Sequence, residues 1–206
     1  MWDGNGRRVQ WGWLREGRPS AAGTAAGWSG AMSLPRILRV TSDGRCAGSP
    51  APELRSLRRD HVALGASHPT QVHGGSLELE LRFDHPYHGR SGAWVRCSPD
   101  DEERTFAGYD LEAGGLIIDR SASSLDPEVT STVVITPVTV DIHSPFTIRI
   151  FLDASVLEVF LEDATGCIAN LGGRIYPSRT DSLQSRVHGE AFAGADSWVM
   201  AGIWPD

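Results

Sequence analysis

The segment Ser76-Leu77-Glu78-Leu79-Glu80-Leu81-Arg82-Phe83 alternates apolar and charged residues without a break. In an extended strand successive side chains point to opposite faces, so the leucines and Phe83 lie on one face and the charged residues lie on the other. This pattern is typical of an antiparallel strand that is buried on one side only. The segment therefore predicts a sheet with one face in an apolar core and one polar face.

Short apolar stretches separated by Gly, Pro, Asp and Ser continue on the C-terminal side of this strand. About ten such stretches, with no convincing long helix between them, are typical of a β-sandwich of antiparallel strands. The further candidate strands are 93–97, 104–109, 115–120, 130–135, 147–152, 156–161, 173–176, 186–192 and 197–203. The sequence therefore predicts an all-β fold whose main body is an antiparallel β-sandwich.

The first 45 residues have a different character. Residues 8–13 and 31–40 are candidate strands, and they flank a loop of small residues at 18–27. A turn is predicted at 42–44. This region therefore predicts short strands around turns, in a piece separate from the sandwich.

A linker is predicted between the two pieces. Leu54 and Leu57 follow two prolines, and their i, i+3 spacing fits one helical turn. The charge balance changes here too, because residues 1–60 contain 10 Arg and 5 acidic residues, whereas residues 61–206 contain 9 Arg and 21 acidic residues. We interpret residues 51–62 as the linker.

Composition excludes several classes of protein. With 40% hydrophobic and 22% charged residues among 206, the chain has the composition of a soluble globular protein, and no stretch approaches the roughly 20 apolar residues of a membrane span. The acidic body and the lack of a DNA- or RNA-binding motif argue against a nucleic-acid partner. The chain as given does not begin with a secretion signal, and Cys46, Cys97 and Cys167 imply no disulfide framework, so the compartment stays open.

Asp153 and Glu158 are the acidic pair most suggestive of catalysis. Glycoside hydrolysis usually needs two carboxyl groups that face each other across a pocket. A separation of five positions places these side chains on opposite faces of one regular strand, although a turn at 154–155 would relax this. Glu158 shares its face with Val156 and Phe160, so a part-buried carboxylate with a raised pKa is one interpretation. A structural role, pairing with an arginine or accepting hydrogen bonds from backbone amides, is the favoured one.

Two other polar clusters were weighed as metal sites. Asp84, His85 and His88 lie in a turn that contains proline, and residues 100–103 are four consecutive acids. Neither cluster has the spacing of a zinc site or an EF-hand, so solvated turns are predicted at both. The chain also lacks the Gly-x-Ser-x-Gly elbow of serine hydrolases and the Gly-x-x-x-x-Gly-Lys phosphate loop. No metal or cofactor is expected.

Tryptophan is the other feature relevant to sugars, since four of the seven tryptophans fall in the first 28 residues. Sugar rings pack their C–H faces on aromatic planes, and the indole N–H can bind a hydroxyl group. Trp11 and Trp13 lie two positions apart, which predicts that they share one face of a strand. For most of the tryptophans, packing in a core is the alternative interpretation.

The segment Gly27-Trp28-Ser29-Gly30-Ala31-Met32-Ser33-Leu34-Pro35-Arg36-Ile37-Leu38 resembles the Gly-Trp-x-Gly-x-x-Ser-Leu-Pro-Arg-x-Leu segment of glycoside hydrolase family 32, the invertases, levanases, inulinases and other β-fructofuranosidases. Residues 7–13 are similar to the strand that precedes it in that family. The landmarks of the family's C-terminal sandwich are resembled, in the same order, by 119–121, 151–160 and 174–177. The resemblance covers nearly the whole chain, with departures at Ala154 and 163–166.

The resemblance implies a domain organisation. Residues 1–50 would be the remnant of the last blade of a five-bladed catalytic β-propeller, 51–62 the linker, and 63–206 the C-terminal sandwich. Family members use an Asp nucleophile in Asn-Asp-Pro, a transition-state-stabilising Asp in Arg-Asp-Pro, and a Glu acid/base in Glu-Cys. None of these motifs occurs in this sequence, and in the family they lie on earlier blades. No catalytic residue is therefore carried over, and only Trp13 resembles a residue that lines the fructose pocket.

The leading hypothesis is that the chain is a C-terminal fragment of a retaining β-fructofuranoside-hydrolysing glycosidase and is inactive alone. The implied partners are a fructose-containing sugar, sucrose or a fructan, and the missing propeller domain. Exposure of Trp11, Trp28, Leu34 and Ile37 is expected to cause poor solubility or association. The alternatives are a non-catalytic β-sandwich module that binds fructan or another glycan, and a purely structural module that stabilises the propeller.

Overall fold

The computed structural model describes residues 1–41, 44–65, 71–85 and 88–203. These residues contain one short α-helix, α1 (Ser20–Ala26), and one 3-10 helix (Pro52–Leu57), and neither is long and apolar enough to cross a membrane. The remaining elements are strands. They are β1 (Arg8–Gln10), β2 (Trp13–Leu14), β3 (Ala31–Met32), β4 (Arg36–Val40), β5 (Cys46–Pro50), β6 (Arg58–Leu64), β7 (Gln71–His73), β8 (Ser76–Phe83), β9 (Arg90–Cys97), β10 (Arg104–Asp110), β11 (Gly115–Ala122), β12 (Val133–Pro137), β13 (Phe146–Asp153), β14 (Val156–Asp163), β15 (Gly166–Arg174), β16 (Gln184–His188) and β17 (Phe192–Met200).

Two six-stranded antiparallel sheets form a β-sandwich. The first sheet has the strand order β15-β14-β13-β8-β17-β6, and the second has the order β12-β11-β10-β9-β16-β7. The alternating segment quoted above is β8, which lies inside the first sheet between β13 and β17. Its apolar residues are at most 3% exposed and pack with residues of the second sheet in one core. The prediction of an antiparallel sandwich is confirmed.

Most of the predicted strands overlap observed ones, but two differ. The predicted strand at 186–192 runs from the end of β16 across a gap at 189–191 to the first residue of β17. The prediction of a strand at 173–176 is wrong, because β15 begins at Gly166 and ends at Arg174. Residues 166–173 carry no alternating apolar pattern, and the strand forms because β14 pairs with it along its length. Side-chain period therefore fails for a strand that is specified by its neighbour.

The N-terminal strands form two small sheets. β1, β4 and β5 make a three-stranded sheet, and β2 and β3 make a separate pair. The predicted strand at 8–13 is interrupted, because β1 ends at Gln10 and β2 begins at Trp13. Trp11 and Trp13 therefore do not share one strand, contrary to the prediction.

The small-residue stretch at 18–27 contains α1 rather than only a loop. Alanine has the highest helix propensity, and four of the seven residues of α1 are Ala. Gly27 ends the helix in the left-handed conformation, with φ +74°, and its N–H donates to the carbonyl of Thr24. Of the predicted turn at 42–44, Ser42 and Asp43 lie outside the described residues.

Residues 1–57, here called the N-terminal segment, cover part of the outward face of the first sheet. The predicted helical turn is confirmed as the 3-10 helix, and its Leu54 packs on the sheet residues Phe151 and Phe160. Cys167 belongs to the same buried cluster, and Leu34, Leu57 and Met200 pack against it. We call this contact between the N-terminal segment and the first sheet the junction.

The first sheet also buries a charge that the β8 pattern predicts to be on a polar face. Glu78 is completely buried. Its carboxylate accepts hydrogen bonds from Arg58 at 2.6 and 2.7 Å and from Arg149 at 2.5 Å. Burial alone would raise the pKa of Glu78, but the two guanidinium groups outweigh it and lower that pKa. The polar face of β8 is therefore buried and ion-paired at Glu78, whereas Glu80 and Arg82 remain partly exposed.

Candidate functional site

Trp13, the residue that the resemblance places in a sugar pocket, lies on the surface of the N-terminal segment. It pairs with Met32 across the β2–β3 ladder, and the two side chains are 62% and 57% exposed. Gly30 adopts φ +70°, and a Cβ there would lie 2.5 Å from the Trp13 indole and 2.9 Å from the Leu14 carbonyl oxygen. The indole therefore takes its position because residue 30 has no side chain.

Glu16 stabilises the turn at Gly30, which lies next to the Trp13 indole. Its carboxylate accepts hydrogen bonds from the Arg18 guanidinium at 2.9 and 3.0 Å and from the backbone N–H of Gly17 at 3.0 Å. It also accepts from the N–H of Gly30 at 3.3 Å. The Arg18 guanidinium holds the pKa of Glu16 well below its usual range, against the opposing effect of burial. Glu16 is therefore an ionised carboxylate whose hydrogen bonds connect the 16–18 loop to the Gly30 turn.

Trp28 connects this surface to the sandwich. The guanidinium carbons of Arg18 and Arg174 lie 4.7 and 4.9 Å from its ring centroid, and 4.8 and 5.2 Å from that of Tyr176. Arg174 is 2% exposed, donates to Ser155 Oγ at 2.6 Å, and forms no ion pair with any carboxylate in the described ranges. Burial raises the pKa of Tyr176 to about 12. Cation–π contacts, rather than a carboxylate, therefore stabilise the buried Arg174 charge.

A cavity of about 720 Å³ lies at the junction. Its wall is mainly apolar and includes Trp11 and Met32 from the N-terminal segment and Phe151 from the first sheet. The cavity also has two carboxylates in its lining, Asp153 and Glu158. Trp11 is 40% exposed there. The structure therefore brings together the two acids that the sequence singled out, next to one of the tryptophans.

Asp153 and Glu158 reach the same cavity because they lie on the two strands of one hairpin. Asp153 ends β13 and Glu158 lies on β14, with the turn at Ala154, whose φ is +48°. The turn at 154–155 reverses the chain, so the two acids do not lie on one regular strand. The expectation that they point to opposite faces therefore does not apply. Asp153 is exposed, whereas Glu158 is completely buried.

Both oxygens of Glu158 are occupied by the N-terminal segment. Oε1 accepts the backbone N–H of Leu34 at 2.5 Å, and Oε2 accepts from the Arg36 guanidinium at 2.5 Å. Burial raises the pKa of Glu158, and Arg36 only partly opposes this. The favoured prediction of a structural role is confirmed, because the carboxylate fastens β4 and the residues before it to the first sheet.

In the part of the chain that the structure describes, no group of three or more His, Cys, Asp or Glu side chains is placed to hold a metal ion. His88 is mostly exposed and lies 3.2 Å from Glu190, and Pro86 and Tyr87 of the same predicted turn lie outside the described residues.

The acidic run at 100–103 is only partly a solvated turn. Glu103 is completely buried, contrary to the prediction. It accepts five hydrogen bonds from residues distant in sequence, which are the N–H of Leu125 (2.9 Å), the N–H and Oγ of Ser178 (2.7 and 2.6 Å), the N–H of Arg179 (3.1 Å) and Oγ of Ser182 (2.9 Å). Burial alone would raise the pKa of Glu103, but the hydrogen bonds outweigh it and lower that pKa to about 2. We call this set of residues the Glu103 cluster.

Sequence reasoning gave no role to Glu16, Arg18 or Arg174, although Arg174 and Tyr176 fall in one of the segments quoted for the resemblance. A carboxylate and a guanidinium two positions apart at 16 and 18 were the available local signal. Their partners Gly30 and Trp28 lie 14 and 10 positions away and are brought close by the turn that precedes β3.

Comparisons with known proteins relate the chain to one glycoside hydrolase family. Residues 53–205 match the family model described as "Glycosyl hydrolases family 32 C terminal". The sucrose-6-phosphate hydrolase of Zymomonas mobilis is 29% identical over 206 residues, and the levanase of Bacillus sp. (strain L7) is 28% identical over 173. These matches cover 94% and 77% of this chain but only 38% and 19% of the relatives. The chain therefore spans about two-fifths of the length of the first relative and about one-fifth of the length of the second.

Solved structures share the fold. Fructan 1-exohydrolase IIa from Cichorium intybus superposes with a TM-score of 0.82 at 20% identity, and the match covers 98% of this chain and 47% of that one. The exo-inulinase from Aspergillus awamori superposes with a TM-score of 0.75 at 22% identity, covering 95% and 41%. At these identities the likeness establishes the fold alone.

Proposed function

The chain belongs to glycoside hydrolase family 32 through its C-terminal domain, and from this premise we propose that it is the C-terminal portion of a retaining β-fructofuranosidase. In this proposal residues 1–50 come from the last blade of a catalytic propeller, 51–62 are the linker, and 63–206 are the sandwich. The substrate class is a fructose-containing sugar. Relatives are named sucrose-6-phosphate hydrolase, levanase and raffinose invertase, and one solved relative holds 1-kestose, which supports that class.

The observation that carries the proposal is the built junction. Glu158, a buried carboxylate of the sandwich, has no donors in the described structure other than Leu34 and Arg36 of the N-terminal segment. A buried carboxylate needs hydrogen-bond donors or a cation beside it, and the segment that covers Glu158 supplies both, so the two parts of the chain fit each other chemically. Such a surface serves to hold a second domain in a fixed position.

The exposed surface of the N-terminal segment supports the second part of the proposal. Trp2, Trp11, Trp13, Trp28 and Met32 are each between 40% and 64% exposed. Such a group of large apolar side chains is typical of a surface that binds another domain or a ligand. We propose that the missing blades cover most of it and that Trp13 contributes to the fructose pocket, where its indole would stack on the sugar ring.

In this proposal the chain supplies support for the reaction rather than the reacting carboxylates. Both oxygens of Glu158 are engaged, and Asp153 lines the same cavity as an exposed carboxylate without a free acidic partner in the described ranges. The double displacement of a retaining enzyme needs a nucleophile and an acid/base residue. We expect both to come from the propeller.

Activity assays test the first part. The purified chain is incubated with sucrose, inulin and levan, and released fructose is measured. We expect no release above the rate without protein. Clear release of fructose that follows the protein through purification would overturn the proposal that the chain lacks the catalytic groups.

Complementation tests the second part. The chain is mixed or co-expressed with the preceding portion of the Zymomonas mobilis relative, and hydrolysis of sucrose is assayed. We expect activity that neither half shows alone. The variant Glu158→Ala should reduce the restored activity, whereas Glu102→Gln, an exposed carboxylate away from the junction, should not. A mixture that forms a complex by gel filtration and still shows no activity would contradict the supporting role.

A non-catalytic glycan-binding module is the second candidate, and the exposed indoles of Trp13 and Trp28 favour it. Calorimetric titration with inulin and levan distinguishes it from the first. Heat that is lost in Trp13→Ala and retained without any propeller half would support this candidate. No heat at sugar concentrations of about 1 mM or above would remove it.

A further inference from the structure

A separate cleft of about 500 Å³ lies among the β1-β4-β5 sheet, the 3-10 helix and the β14–β15 hairpin. Four arginines line it, namely Arg7, Arg39, Arg55 and Arg149, and Glu162 is the carboxylate in its lining. Among the described residues outside this cleft, acidic side chains outnumber arginines. A concentration of guanidinium groups in one concave site therefore needs a reason.

Two of the four arginines are neutralised by neighbouring carboxylates. Arg7 lies 2.7 Å from Asp3 and 2.6 Å from Glu53. Arg149 is 7% exposed and forms ion pairs within the first sheet. Its partners are Glu78 at 2.5 Å, Glu80 at 3.8 Å and Glu162 at 3.5 Å. These two arginines are therefore part of the folded framework.

Arg39 and Arg55 are different, because neither forms an ion pair in the part of the chain that the structure describes. Arg39 is nevertheless fixed in place, since its Nη2 donates to the Cys167 carbonyl at 3.0 Å. A Cβ at Gly166, which has φ +103°, would lie 2.5 Å from the same Nη2. The tip of the β14–β15 hairpin therefore leaves room for this guanidinium.

Arg55 comes to the cleft from the last turn of the 3-10 helix. Its side chain is exposed, so the charge is available to a ligand. The hydroxyl-bearing residues Ser49 and Thr165 also line the cleft. A guanidinium held by a backbone carbonyl, an exposed guanidinium and hydroxyl groups in one concave site are a donor set that suits a phosphate group.

We propose that this cleft binds a small phosphate-bearing anion, with Arg39 and Arg55 as its guanidinium ligands. A guanidinium offers two parallel N–H donors to a phosphate, and two such groups match its charge of about −2 at neutral pH. The bounded volume and the acidic balance of the remaining sandwich exclude a nucleic-acid backbone as the ligand. Inorganic phosphate and a sugar phosphate share the recognised chemistry. The inference is independent of the proposed function, because it requires neither a propeller domain nor a fructan substrate.

Calorimetric titration tests the inference on the chain as it exists. Sodium phosphate, fructose 6-phosphate and sodium chloride are titrated separately in a phosphate-free buffer at constant ionic strength. We expect saturable heat with phosphate or with fructose 6-phosphate and none with chloride. Tighter binding of the sugar phosphate would identify a phosphorylated sugar as the source, and equal affinities would identify the phosphate group alone.

Matched variants locate the site. The double variant R39Q/R55Q should weaken binding by about tenfold or more, since both charge-assisted contacts are lost. R59Q removes an exposed arginine of the β6 edge and should leave the affinity unchanged. A melting curve followed by circular dichroism shows whether each variant is folded. No saturable heat with either phosphate probe, or equal affinity in a folded R39Q/R55Q, would overturn the assignment.

Discussion

The Glu103 cluster and the junction each bury a carboxylate completely, and they stabilise it in different ways. Glu103 accepts five hydrogen bonds, all from uncharged backbone or hydroxyl donors of the sandwich itself. Glu158 accepts two, and both come from the N-terminal segment. The pKa of Glu103 falls to about 2, whereas the pKa of Glu158 rises. Burial raises the pKa of both carboxyl groups; five hydrogen bonds outweigh it at Glu103, whereas the two at Glu158 do not.

The two buried carboxylates therefore stabilise different contacts, one within the sandwich and one between the sandwich and the N-terminal segment. The Glu103 cluster joins the 98–103 hairpin to loops of the same domain, so it is complete whenever the sandwich folds. Glu158 depends on another part of the chain, because both of its described donors, Leu34 and Arg36, belong to the N-terminal segment. The sandwich is therefore self-sufficient at one end and dependent on its neighbour at the other.

The largest expected effect is at the self-sufficient end. Glu103→Gln keeps the shape but replaces an acceptor of five hydrogen bonds with a group that has one oxygen, so we expect a loss of about 3 kcal/mol in the free energy of unfolding. Urea denaturation measures it. Glu102→Gln at the exposed neighbouring position is the control and should change stability by less than about 0.5 kcal/mol. A loss at Glu103 no larger than this would show that the cluster is not stabilising.

The same residue predicts a pH dependence. The pKa of Glu103 is about 2 in the folded chain against an ordinary 4.5, so its contribution is present above pH 4.5 and is lost as the pH falls towards 2. The free energy of unfolding of the parent chain should therefore fall through this range more steeply than that of Glu103→Gln. Equal slopes in urea denaturation at a series of pH values would contradict the assignment.

A smaller effect is expected from the apolar part of the junction. Leu54→Ala removes a side chain that is 8% exposed and packs on Phe151 and Phe160, at a cost of about 2 kcal/mol. Hydrogen exchange should show earlier opening of the 3-10 helix than of β8. Leu125→Ala, at a leucine that is 53% exposed, is the control. Equal losses in the two variants would mean that the segment is not held by this contact.

Gly30→Ala tests the Trp13 surface, with an expected cost of about 1 to 2 kcal/mol. The new Cβ would meet the Trp13 indole at 2.5 Å, so the ring must move and its fluorescence should change. Gly27→Ala is the matched control, because its φ of +74° is equally unfavourable but its Cβ would meet no atom within 4 Å. An identical fluorescence spectrum for the two variants would argue against the contact between Gly30 and Trp13.

The smallest net effect is expected for Glu158→Gln, about 1 kcal/mol near pH 7, because losing the Arg36 ion pair is offset by removing a buried charge. The sign of its pH dependence is opposite to that of Glu103. The folded pKa of Glu158 lies above 4.5, so its contribution is fully present below pH 4.5 and is lost as the pH rises through the folded pKa. The variant should lack this decline. A decline of the same size in Glu158→Gln and in the parent would show that Glu158 is not its source.

Local sequence patterns were sufficient where one side-chain period describes the environment. β8 was read correctly because every second residue faces one apolar core. The helical turn at Leu54 and Leu57 was found for the same reason. The residues of α1 and β15 have no such period, and their structure comes from alanine propensity in one case and from pairing with β14 in the other. The interruption between Gln10 and Trp13 gave no local signal either.

The candidate site was less predictable than the fold. The sequence identified Trp13, Asp153 and Glu158 as residues of interest, but it did not indicate that Glu158 and Arg36 meet across 122 positions. It also described residues 100–103 by their local charge, although Glu103 is buried under loops that come some 20 to 80 positions later. Hydrogen bonds between distant residues leave no periodic trace in either segment.

The sequence by itself determined an antiparallel sandwich and its resemblance to glycoside hydrolase family 32, because strand alternation and a contiguous motif are local properties of the chain. Only the tertiary structure decided that Glu78 of β8 is buried, which carboxylates are satisfied, and which arginines in a cleft lack an ion pair. The physical reason is that the free energy of a buried charge depends on donors and ions within a few ångströms, and folding brings those from elements far apart in the chain.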